Sequence, residues 1–222
     1  MKLLVTAGNT QTPIDRVRCI TNIFSGRTGA TIAATAHDRG HAVTLYTSHP
    51  EVIETIPAYR ARTANDWRVE KYRTFEDLES LLATAVPDGG FDAIVHAAAV
   101  SDYHVVGTFA RVGEEFVDVS AGKVKGHHAD LWLRLKPAPK LIDKFRGDWN
   151  FAGKLVKFKL EVGATDGELL AIAEKSRVHS SADLMVANTL EGMLEWAYVG
   201  AGDSYRKVAR AELAASVIDA IR

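Results

Sequence analysis

Short apolar segments alternate with helix-like segments along the chain, and this alternation constrains the fold more than any other feature. Residues 2–8 form an apolar, β-branched run typical of a buried parallel strand. Ser25 to Gly40 has the spacing of a helix with a glycine stop signal, and residues 41–46 are again strand-like. The three segments predict a βαβ unit. About 17 residues separate Gly8 from Gly26, where a dinucleotide fold needs only a tight turn, and a loop of that length more often serves a ligand.

The alternation continues to the C-terminus, except between residues 101 and 136. Further strands are predicted at 67–72, 91–100, 155–160 and 183–186, and further helices at 75–86, 139–149, 166–179 and 210–221. Within 101–136 the helical signal disappears, and residues 115–119 and 131–135 alternate with period two, as strands with one covered face do. We therefore predict a single α/β domain over residues 1–222: a Rossmann-like, mostly parallel sheet flanked by helices, with a β-rich excursion at 101–136.

The composition is consistent with one globular domain and excludes several classes of protein. Of 222 residues, 47% are apolar and 25% charged, and 27 lysines and arginines against 28 acidic residues give a net charge of −1, which does not suit a general nucleic-acid binder. The single cysteine, Cys19, excludes an internal disulfide and a cysteine-rich zinc module. No apolar run approaches the roughly 18 residues of a membrane span, and no signal sequence is recognisable, so we expect a soluble, cytoplasmic protein without a membrane partner.

The motifs of several common α/β enzymes are missing. No G-x-G-x-x-G follows the first strand, and no Tyr-x-x-x-Lys pair occurs. The chain also contains no phosphate-binding G-x-x-x-x-G-K-[ST], no G-x-S-x-G nucleophile elbow and no H-E-x-x-H. His127 and His128 are adjacent, and adjacent residues of a strand point to opposite faces. We therefore predict no metal site built from a cluster of side chains.

Polar and glycine-rich motifs follow the first predicted strand. Ser25-Gly26-x-x-Gly29 opens the first helix, and free amides at a helix start form a phosphate cradle, although such glycines equally serve close packing of a helix on a strand. Arg18 and Asn22 are four residues apart and would point into one site, with fixed charge from the arginine and a neutral contact from the amide. The alternative is that both residues only support the loop.

Two more motifs lie near the β-rich excursion. Three alanines, Ala97 to Ala99, precede Ser101-Asp102-Tyr103 at the end of a predicted strand, where ligands of open α/β sheets bind. Asp102 would take a ribose hydroxyl or a metal-bound phosphate, or it is simply a turn residue. In residues 121–126, Lys123 and Lys125 lie between two glycines. They would bind a polyphosphate from a mobile flap, and the alternative is that both are ordinary solvated charges.

Several motifs occur in a characteristic order. They are Val-Thr-Ala-Gly at 5–8, Pro-Ile-Asp-x-Val-Arg at 13–18, Ser-Gly-x-x-Gly at 25–29, Ala-Ala-Val-Ser-Asp-Tyr at 98–103, Gly-Lys-Val-Lys at 122–125, Leu-Lys-Pro-Ala-Pro-Lys-Leu-Ile at 135–142, Phe-Lys-Leu-Glu at 158–161 and Ala-Asp-Leu-Met-Val-Ala-Asn at 182–188. In this order they resemble the phosphopantothenate–cysteine ligases (phosphopantothenoylcysteine synthetases) of the DNA/pantothenate metabolism flavoprotein family, in their free-standing bacterial form.

The resemblance implies a reaction of coenzyme A biosynthesis. The carboxylate of 4′-phosphopantothenate would attack the α-phosphate of CTP to give an acyl-cytidylate and pyrophosphate, and the amine of L-cysteine would then displace CMP. Mg²⁺ would accompany the triphosphate, with Asp102 as the side chain that reaches it, and the free-standing form carries no flavin. Two alternatives remain open from the residues: an NAD(P)-dependent reductase of Rossmann type, and a non-catalytic nucleotide-binding relative.

The resemblance also assigns roles to individual residues. Asn22 would be catalytic and hold the acyl intermediate, with Arg18 supporting it and Lys123 reaching the triphosphate from the flap. The residues implied to bind the nucleotide are Ala97, Ala98, Ala99, Asp102, Lys123, Pro139, Lys140, Leu141, Ile142, Phe158, Lys175 and His179. Those implied to bind the phosphate of the substrate are Ser25, Gly26 and Asn188. Residues 101–136 would build the contact of a homodimer.

The sequence departs from the family pattern at several positions. Asn9 replaces a glycine or proline, Gln11-Thr12 replace an Arg-Glu pair, and Cys19 stands where a tyrosine is common. His179 occupies the position of a second lysine after Lys175. These changes are expected to affect affinity more than fold.

Overall fold

One sheet of eight strands forms the centre of the molecule in the computed structural model, which describes residues 1–57 and 66–222. In spatial order its strands are β13 (Arg206–Ala209), β12 (Trp196–Gly200), β11 (Leu184–Thr189), β10 (Lys154–Glu161), β6 (Ala93–His96), β1 (Lys2–Ala7), β4 (Ala42–Thr47) and β5 (Trp67–Lys71). The strands from β11 to β5 are parallel, and β12 and β13 continue the sheet antiparallel. The prediction of an α/β fold with a mostly parallel sheet is confirmed.

Helices cover both faces of this sheet. They are α1 (Arg27–Asp38), α2 (Glu51–Glu54), α3 (Phe75–Asp88), α4 (Leu141–Lys144), α5 (Asp166–His179) and α6 (Leu213–Ala220), the last preceded by a 3₁₀ turn at Arg210–Glu212. On one face Leu3 and Val5 of β1 are buried with residues of α1 and α6, and on the other Leu4 is buried with residues of α3 and α4. Burial on both faces explains why the central strands are almost continuously apolar.

The order of the strands locates the place where a ligand can bind. From β1 the chain moves outward in one direction through β4 and β5, and then returns to the other side of β1 with β6, β10 and β11. The connections on the two sides of this reversal leave a crevice at the carboxyl ends of β1 and β6, which is where open α/β sheets bind their ligands.

Several elements differ in extent from the sequence prediction. The strand predicted at 91–100 is only Ala93–His96, the helix predicted at 139–149 is only Leu141–Lys144, and the strand predicted at 183–186 extends to Thr189. The helix ends at Lys144 and is followed by turns over residues 145–148, an arrangement in which Phe145, Trp149 and Phe151 are all buried. The long loop after β1 contains a hairpin of two strands, β2 (Gln11–Pro13) and β3 (Cys19–Thr21), that the sequence did not predict.

The β-rich excursion is a separate antiparallel sheet. Its strands are β7 (Tyr103–Val112), β8 (Glu115–Asp118) and β9 (Leu131–Pro137), in the order β8-β7-β9. The predicted strands at 115–119 and 131–135 are present, and β7, which the sequence did not locate, pairs with both. Large apolar side chains of this sheet are exposed, among them Val112, Phe116, Leu131 and Trp132.

Gly26 lets α1 approach the end of β1. It adopts a positive φ of 81° immediately before the helix, and a Cβ atom there would lie 2.1 Å from the backbone nitrogen of Gly8. Gly29, one turn later, faces Ala7 in the same way. The glycine motif at the helix start therefore serves close packing of the helix on the strand.

Substituting Gly26 with alanine tests this contact. We expect Gly26→Ala to lower the free energy of unfolding by roughly 2 kcal/mol or more, because a left-handed backbone costs an alanine about 1–2 kcal/mol and the backbone of Gly8 must also move. Gly167→Ala in α5 is the control, since its Cβ would meet nothing within 4 Å, and it should be neutral or stabilising by up to about 1 kcal/mol. Urea unfolding measures both, and equal stabilities would contradict the expectation.

Candidate functional site

The entrance loop, residues 9–25, lies across the carboxyl ends of β1 and β6. Asn9 forms an isolated parallel bridge with Ala99, and the amide of Thr10 donates to the carbonyl of Ala99 at 3.3 Å. The same carbonyl accepts a hydrogen bond from Nδ2 of Asn22 at 3.0 Å. The loop is thus attached directly to the segment that follows β6, at the crevice that the strand order creates.

A cavity of about 220 Å³ opens between the entrance loop and the start of β7. It is lined by Thr12, Ile20, Asn22, Val100, Ser101, Asp102, Tyr103 and Leu135. Two residues that the sequence singled out independently, Asn22 and Asp102, therefore meet in one cavity. Lys123 does not line it.

Asn22 is held by its backbone and leaves much of its side chain available. Its carbonyl accepts from Nδ2 of Asn9 at 2.6 Å, and one hydrogen of its own Nδ2 is directed to Ala99. In the part of the chain that the structure describes, its second amide hydrogen and its Oδ1 have no partner, and the residue is exposed. Asn22 can therefore offer both a donor and an acceptor to a ligand without carrying charge.

The three alanines after β6 use their amides within the protein. The amide of Ala97 donates to the carbonyl of Thr6 at 3.1 Å, that of Ala98 to Oγ1 of Thr6 at 3.2 Å, and that of Ala99 to the carbonyl of Gly8 at 2.8 Å. This explains why the strand predicted to reach residue 100 ends at His96. The amide of Ala98 binds the side-chain hydroxyl of Thr6, where a continuing strand would bind a backbone carbonyl of β1. The amides of these alanines are therefore not available to a ligand, and the carbonyls of Ala98 and Ala99 also accept hydrogen bonds within the protein.

Thr6 and His96 support this segment, and neither role was predicted from the sequence. The hydroxyl of Thr6, fully buried, lies 2.9 Å from Nδ1 of His96. Burial, together with the nearby charge of Lys157, lowers the pKa of His96 to about 4, so the ring is neutral at neutral pH. The Thr6 oxygen also accepts from Ala98, so the amide, the hydroxyl and the ring form a buried chain of hydrogen bonds.

Asp102 is paired with Lys140 at the mouth of the cavity. Nζ of Lys140 contacts Oδ1 of Asp102, and both side chains are more than half exposed. Pro139 is also exposed, whereas Leu141 and Ile142 are buried in the core on the α3 side of the sheet. Of this predicted nucleotide segment, Pro139 and Lys140 are the residues whose side chains a ligand can reach.

Asn9, Gln11 and Thr12, which depart from the pattern described above, form hydrogen bonds around the cavity. Nδ2 of Asn9 holds the carbonyl of Asn22, Oε1 of Gln11 accepts from Nε of Arg73 at 2.6 Å, and the hydroxyl of Thr12 lies 3.1 Å from both Oγ of Ser101 and the carbonyl of Tyr103. These side chains therefore help to fix the entrance loop.

The remaining predicted residues lie around the cavity rather than in its wall. Ser25 is exposed beside Gly26 at the start of α1, where no side chain caps the helix and no acidic residue occupies the first turn. Asn188 is half-buried near the carboxyl end of β11, and Phe158 packs against the core from β10. These positions follow the same edge of the sheet, and the free amides at the start of α1 suit an anion.

Lys175 and His179 are placed differently. The helix α5 returns the chain from the carboxyl end of β10 to the amino end of β11, so its last turn lies away from the edge that carries Asn188. Nε2 of His179 is 3.5 Å from a carboxylate oxygen of Asp143, and its side chain is largely exposed. The structure does not bring these two residues to the Asn22–Asp102 cavity.

Arg18 also has partners other than the cavity. Its guanidinium donates to the carboxylate of Asp15 and to the carbonyl of Val124, which brings it beside Lys123.

No group of three or more histidine, cysteine or acidic side chains within residues 1–57 and 66–222 is arranged to hold a metal ion. None of the helices in these ranges is long and apolar enough to cross a bilayer.

The contact between Thr6 and Ala98 can be tested without a ligand. Thr6→Val keeps the shape of the side chain but leaves the Ala98 amide without an acceptor, so we expect the free energy of unfolding to fall by about 1–3 kcal/mol. Thr6→Ser keeps the hydroxyl and is expected to lose less. Urea unfolding compares the two variants, and a valine variant as stable as the serine variant would show that the hydrogen bond does not support this segment.

Comparison with known proteins assigns the family. The model of the DNA/pantothenate metabolism flavoprotein C-terminal domain matches residues 1–198. The coenzyme A biosynthesis bifunctional protein CoaBC of Thermococcus kodakarensis is 34% identical over 190 residues, which cover 86% of this chain and 41% of that protein. The chain therefore spans about two fifths of the length of the curated relatives that it matches.

Solved structures agree with this assignment. The DNA/pantothenate metabolism flavoprotein from Streptococcus pneumoniae is 29% identical and superposes with a TM-score of 0.81 over 99% of this chain and 97% of that chain. A Cab2 variant solved with phosphopantothenate-cysteine is only 16% identical but has the same fold, with a TM-score of 0.73 over 98% of this chain and 85% of that chain. The chain belongs to the DNA/pantothenate metabolism flavoprotein C-terminal domain family.

Proposed function

We propose that the chain is a phosphopantothenate–cysteine ligase, which joins 4′-phosphopantothenate and L-cysteine through an acyl-cytidylate formed from CTP. The observation that carries the proposal is the meeting of Asn22 and Asp102 in one cavity at the crevice of the sheet. Membership of the family, whose matched relatives are named coenzyme A biosynthesis proteins, supports it. The entrance loop, in place of a tight glycine turn after β1, argues against a nicotinamide reductase.

The residues present suit a reaction that depends on positioning more than on covalent catalysis. In the first step a carboxylate oxygen of phosphopantothenate attacks the α-phosphorus of CTP, and the bond to pyrophosphate breaks. In the second step the amine of cysteine attacks the acyl carbon, CMP leaves, and the amine releases a proton to solvent. Both steps require that anions be held close together, which neutral amide donors and cations achieve.

Asn22 would hold the reacting carboxylate. Its unpartnered amide hydrogen donates to an anionic oxygen without adding the charge that would trap the acyl intermediate. The uncapped start of α1 at Gly26 would bind the phosphate of phosphopantothenate, with Ser25 and Asn188 along the same edge. Lys123 would neutralise the triphosphate, and Lys140 and Asp102 would lie beside the nucleotide.

Mg²⁺ would arrive with the triphosphate. Magnesium prefers six oxygen ligands and is commonly held by one or two carboxylates together with phosphate oxygens. Asp102 is a single exposed carboxylate at the cavity, which fits a metal that receives most of its ligands from the nucleotide and water. On the bound nucleotide, the metal would neutralise phosphate charge.

A direct assay tests the proposal. The purified chain incubated with phosphopantothenate, cysteine, Mg²⁺ and CTP should release pyrophosphate, and CTP should support this better than ATP. No release with either nucleotide would reject the catalytic function and favour a nucleotide-binding relative without activity. Tight binding of NADPH would instead support the alternative function, an NAD(P)-dependent reductase.

Asn22→Asp tests the role of the amide. A carboxylate at this position would repel the carboxylate of the substrate, so we expect pyrophosphate release to fall by about 100-fold or more while the melting temperature changes little. Asn150→Asp is the control, because Asn150 is an exposed turn residue before β10 and should retain full activity. Unchanged turnover of Asn22→Asp would remove Asn22 from the mechanism.

We also propose that the chain forms a homodimer through the sheet β8-β7-β9. The aromatic rings of Phe116 and Trp132 pack edge to face with centroids 5.2 Å apart, yet 55% and 53% of these residues are exposed. Leu131 and Val112 add to the exposed apolar surface of the same sheet. Contiguous apolar surface of this kind is typical of a protein interface, and a second copy of the chain would cover it symmetrically.

Trp132→Lys tests this interface. We expect the lysine variant to have the mass of one chain in size-exclusion chromatography with light scattering, where the natural protein has the mass of two, because the charge would be buried without a partner. Leu194→Lys, at an apolar residue that is 77% exposed elsewhere, should remain dimeric. A dimer that persists in Trp132→Lys would place the interface on another surface.

A further inference from the structure

Asp15 organises the tip of the hairpin that β2 and β3 form. Its side chain is completely buried, and Oδ1 accepts hydrogen bonds from the amides of Val17 and Arg18, each at 2.8 Å. Oδ2 accepts from the guanidinium of Arg18, at 3.0 Å from Nε and 2.5 Å from Nη2. One carboxylate therefore closes the turn and fixes the arginine.

The same carboxylate reaches across to the segment that carries Lys123. Oδ2 of Asp15 accepts from the amide of Val124 at 3.0 Å, and Nη2 of Arg18 donates to the carbonyl of Val124 at 2.6 Å. On the other side of Lys123, the amide of Arg16 donates to the carbonyl of Gly122 at 3.1 Å. The backbone is thus bonded to the hairpin on both sides of Lys123.

Burial reinforces these hydrogen bonds. The side chain of Val124 is only 2% exposed, whereas Lys123 is exposed. The hydrogen bond from Arg18, above all, holds the pKa of the Asp15 carboxyl far below its usual range, so the group remains ionised at neutral pH. Hydrogen bonds to an ionised acceptor are the strong ones, and this geometry keeps the segment docked while the lysine side chain is free to meet a ligand.

We propose that Asp15 is a positioning residue, which clasps the segment Gly122–Val124 to the hairpin so that Lys123 is presented beside the entrance loop. The catalytic consequence rests on the proposed function, in which Lys123 neutralises the triphosphate. Arg18 then acts mainly through Val124 and Asp15, whereas the family resemblance implies that it supports Asn22.

Asparagine is the sharpest substitution for Asp15. Both carboxylate oxygens accept from N–H donors, so either orientation of an amide would direct an NH₂ group at donors and break part of the clasp. Asp118→Asn is the matched control, because Asp118 lies in the same excursion and its carboxylate accepts from the nearby amide and hydroxyl of Ser120, its partners within residues 1–57 and 66–222.

Limited trypsin digestion tests the clasp without substrates. Mass spectrometry of the fragments should show cleavage after Lys123 and Lys125 at least 10-fold faster in Asp15→Asn than in the natural protein, and unchanged in Asp118→Asn. Equal cleavage rates in Asp15→Asn and the natural protein would overturn the proposal. If Asp15→Asn does not fold, Arg18→Gln removes the contact to Val124 while keeping the carboxylate, and it should accelerate the same cleavages.

A double-mutant cycle tests the positioning role in the reaction. We expect Asp15→Asn to lower kcat about 10-fold with little change in the KM for phosphopantothenate, and Lys123→Ala to cause little further loss in the Asp15→Asn background. Multiplicative losses in the double variant would show that Asp15 does not act through Lys123. Absence of activity in the natural protein would refute the proposed function. The digestion would still show whether Asp15 holds the segment Gly122–Val124 on the hairpin.

Discussion

The site depends on how the backbone is bonded where β1 ends. The carbonyl of Ala7 accepts from the buried hydroxyl of Tyr72 at 2.6 Å, and the carbonyl of Gly8 accepts from Ala99 at 2.8 Å. The amide of Asn9 donates to Oγ of Ser48 at 2.9 Å. Three neighbouring elements are therefore attached to one short segment. Because buried backbone groups must be paired, a shift of this segment would leave several of them unsatisfied at once.

Glycine is required at this junction for a physical reason. Gly8 and Gly26 both have positive φ angles, and their backbones are in contact, which no side chain at residue 26 would allow. The close contact brings the start of α1 beside the entrance loop. An uncapped helix start and a neutral amide, that of Asn22, consequently face the same edge of the sheet, and this combination suits ligands that carry both a phosphate and a carboxylate.

The entrance loop forms hydrogen bonds with two different parts of the molecule. On one side Asn22 and Thr10 bind the carbonyl of Ala99, and on the other Asp15 and Arg18 bind Val124. The loop is therefore a bridge between the large sheet and the β-rich excursion. Its length, unusual for a dinucleotide fold, is explained by this double attachment.

The sequence alone determined the class of fold and two residues of the cavity wall, Asn22 and Asp102. Strand and helix periods over continuous segments predicted the α/β architecture. Asp102 was recognised because polar groups follow strand ends in ligand-binding sheets, and Asn22 because it precedes the glycine motif at the helix start and is four residues from Arg18. Only the tertiary structure decided which distant residues are bonded to each other and which side chains are buried. Thr6 binds the amide of Ala98, Arg18 binds the carbonyl of Val124, and Leu141 and Ile142 lie in the core. Local periodicity reports which face of an element is apolar, whereas hydrogen bonds between residues 90 or more positions apart depend on how the elements are packed.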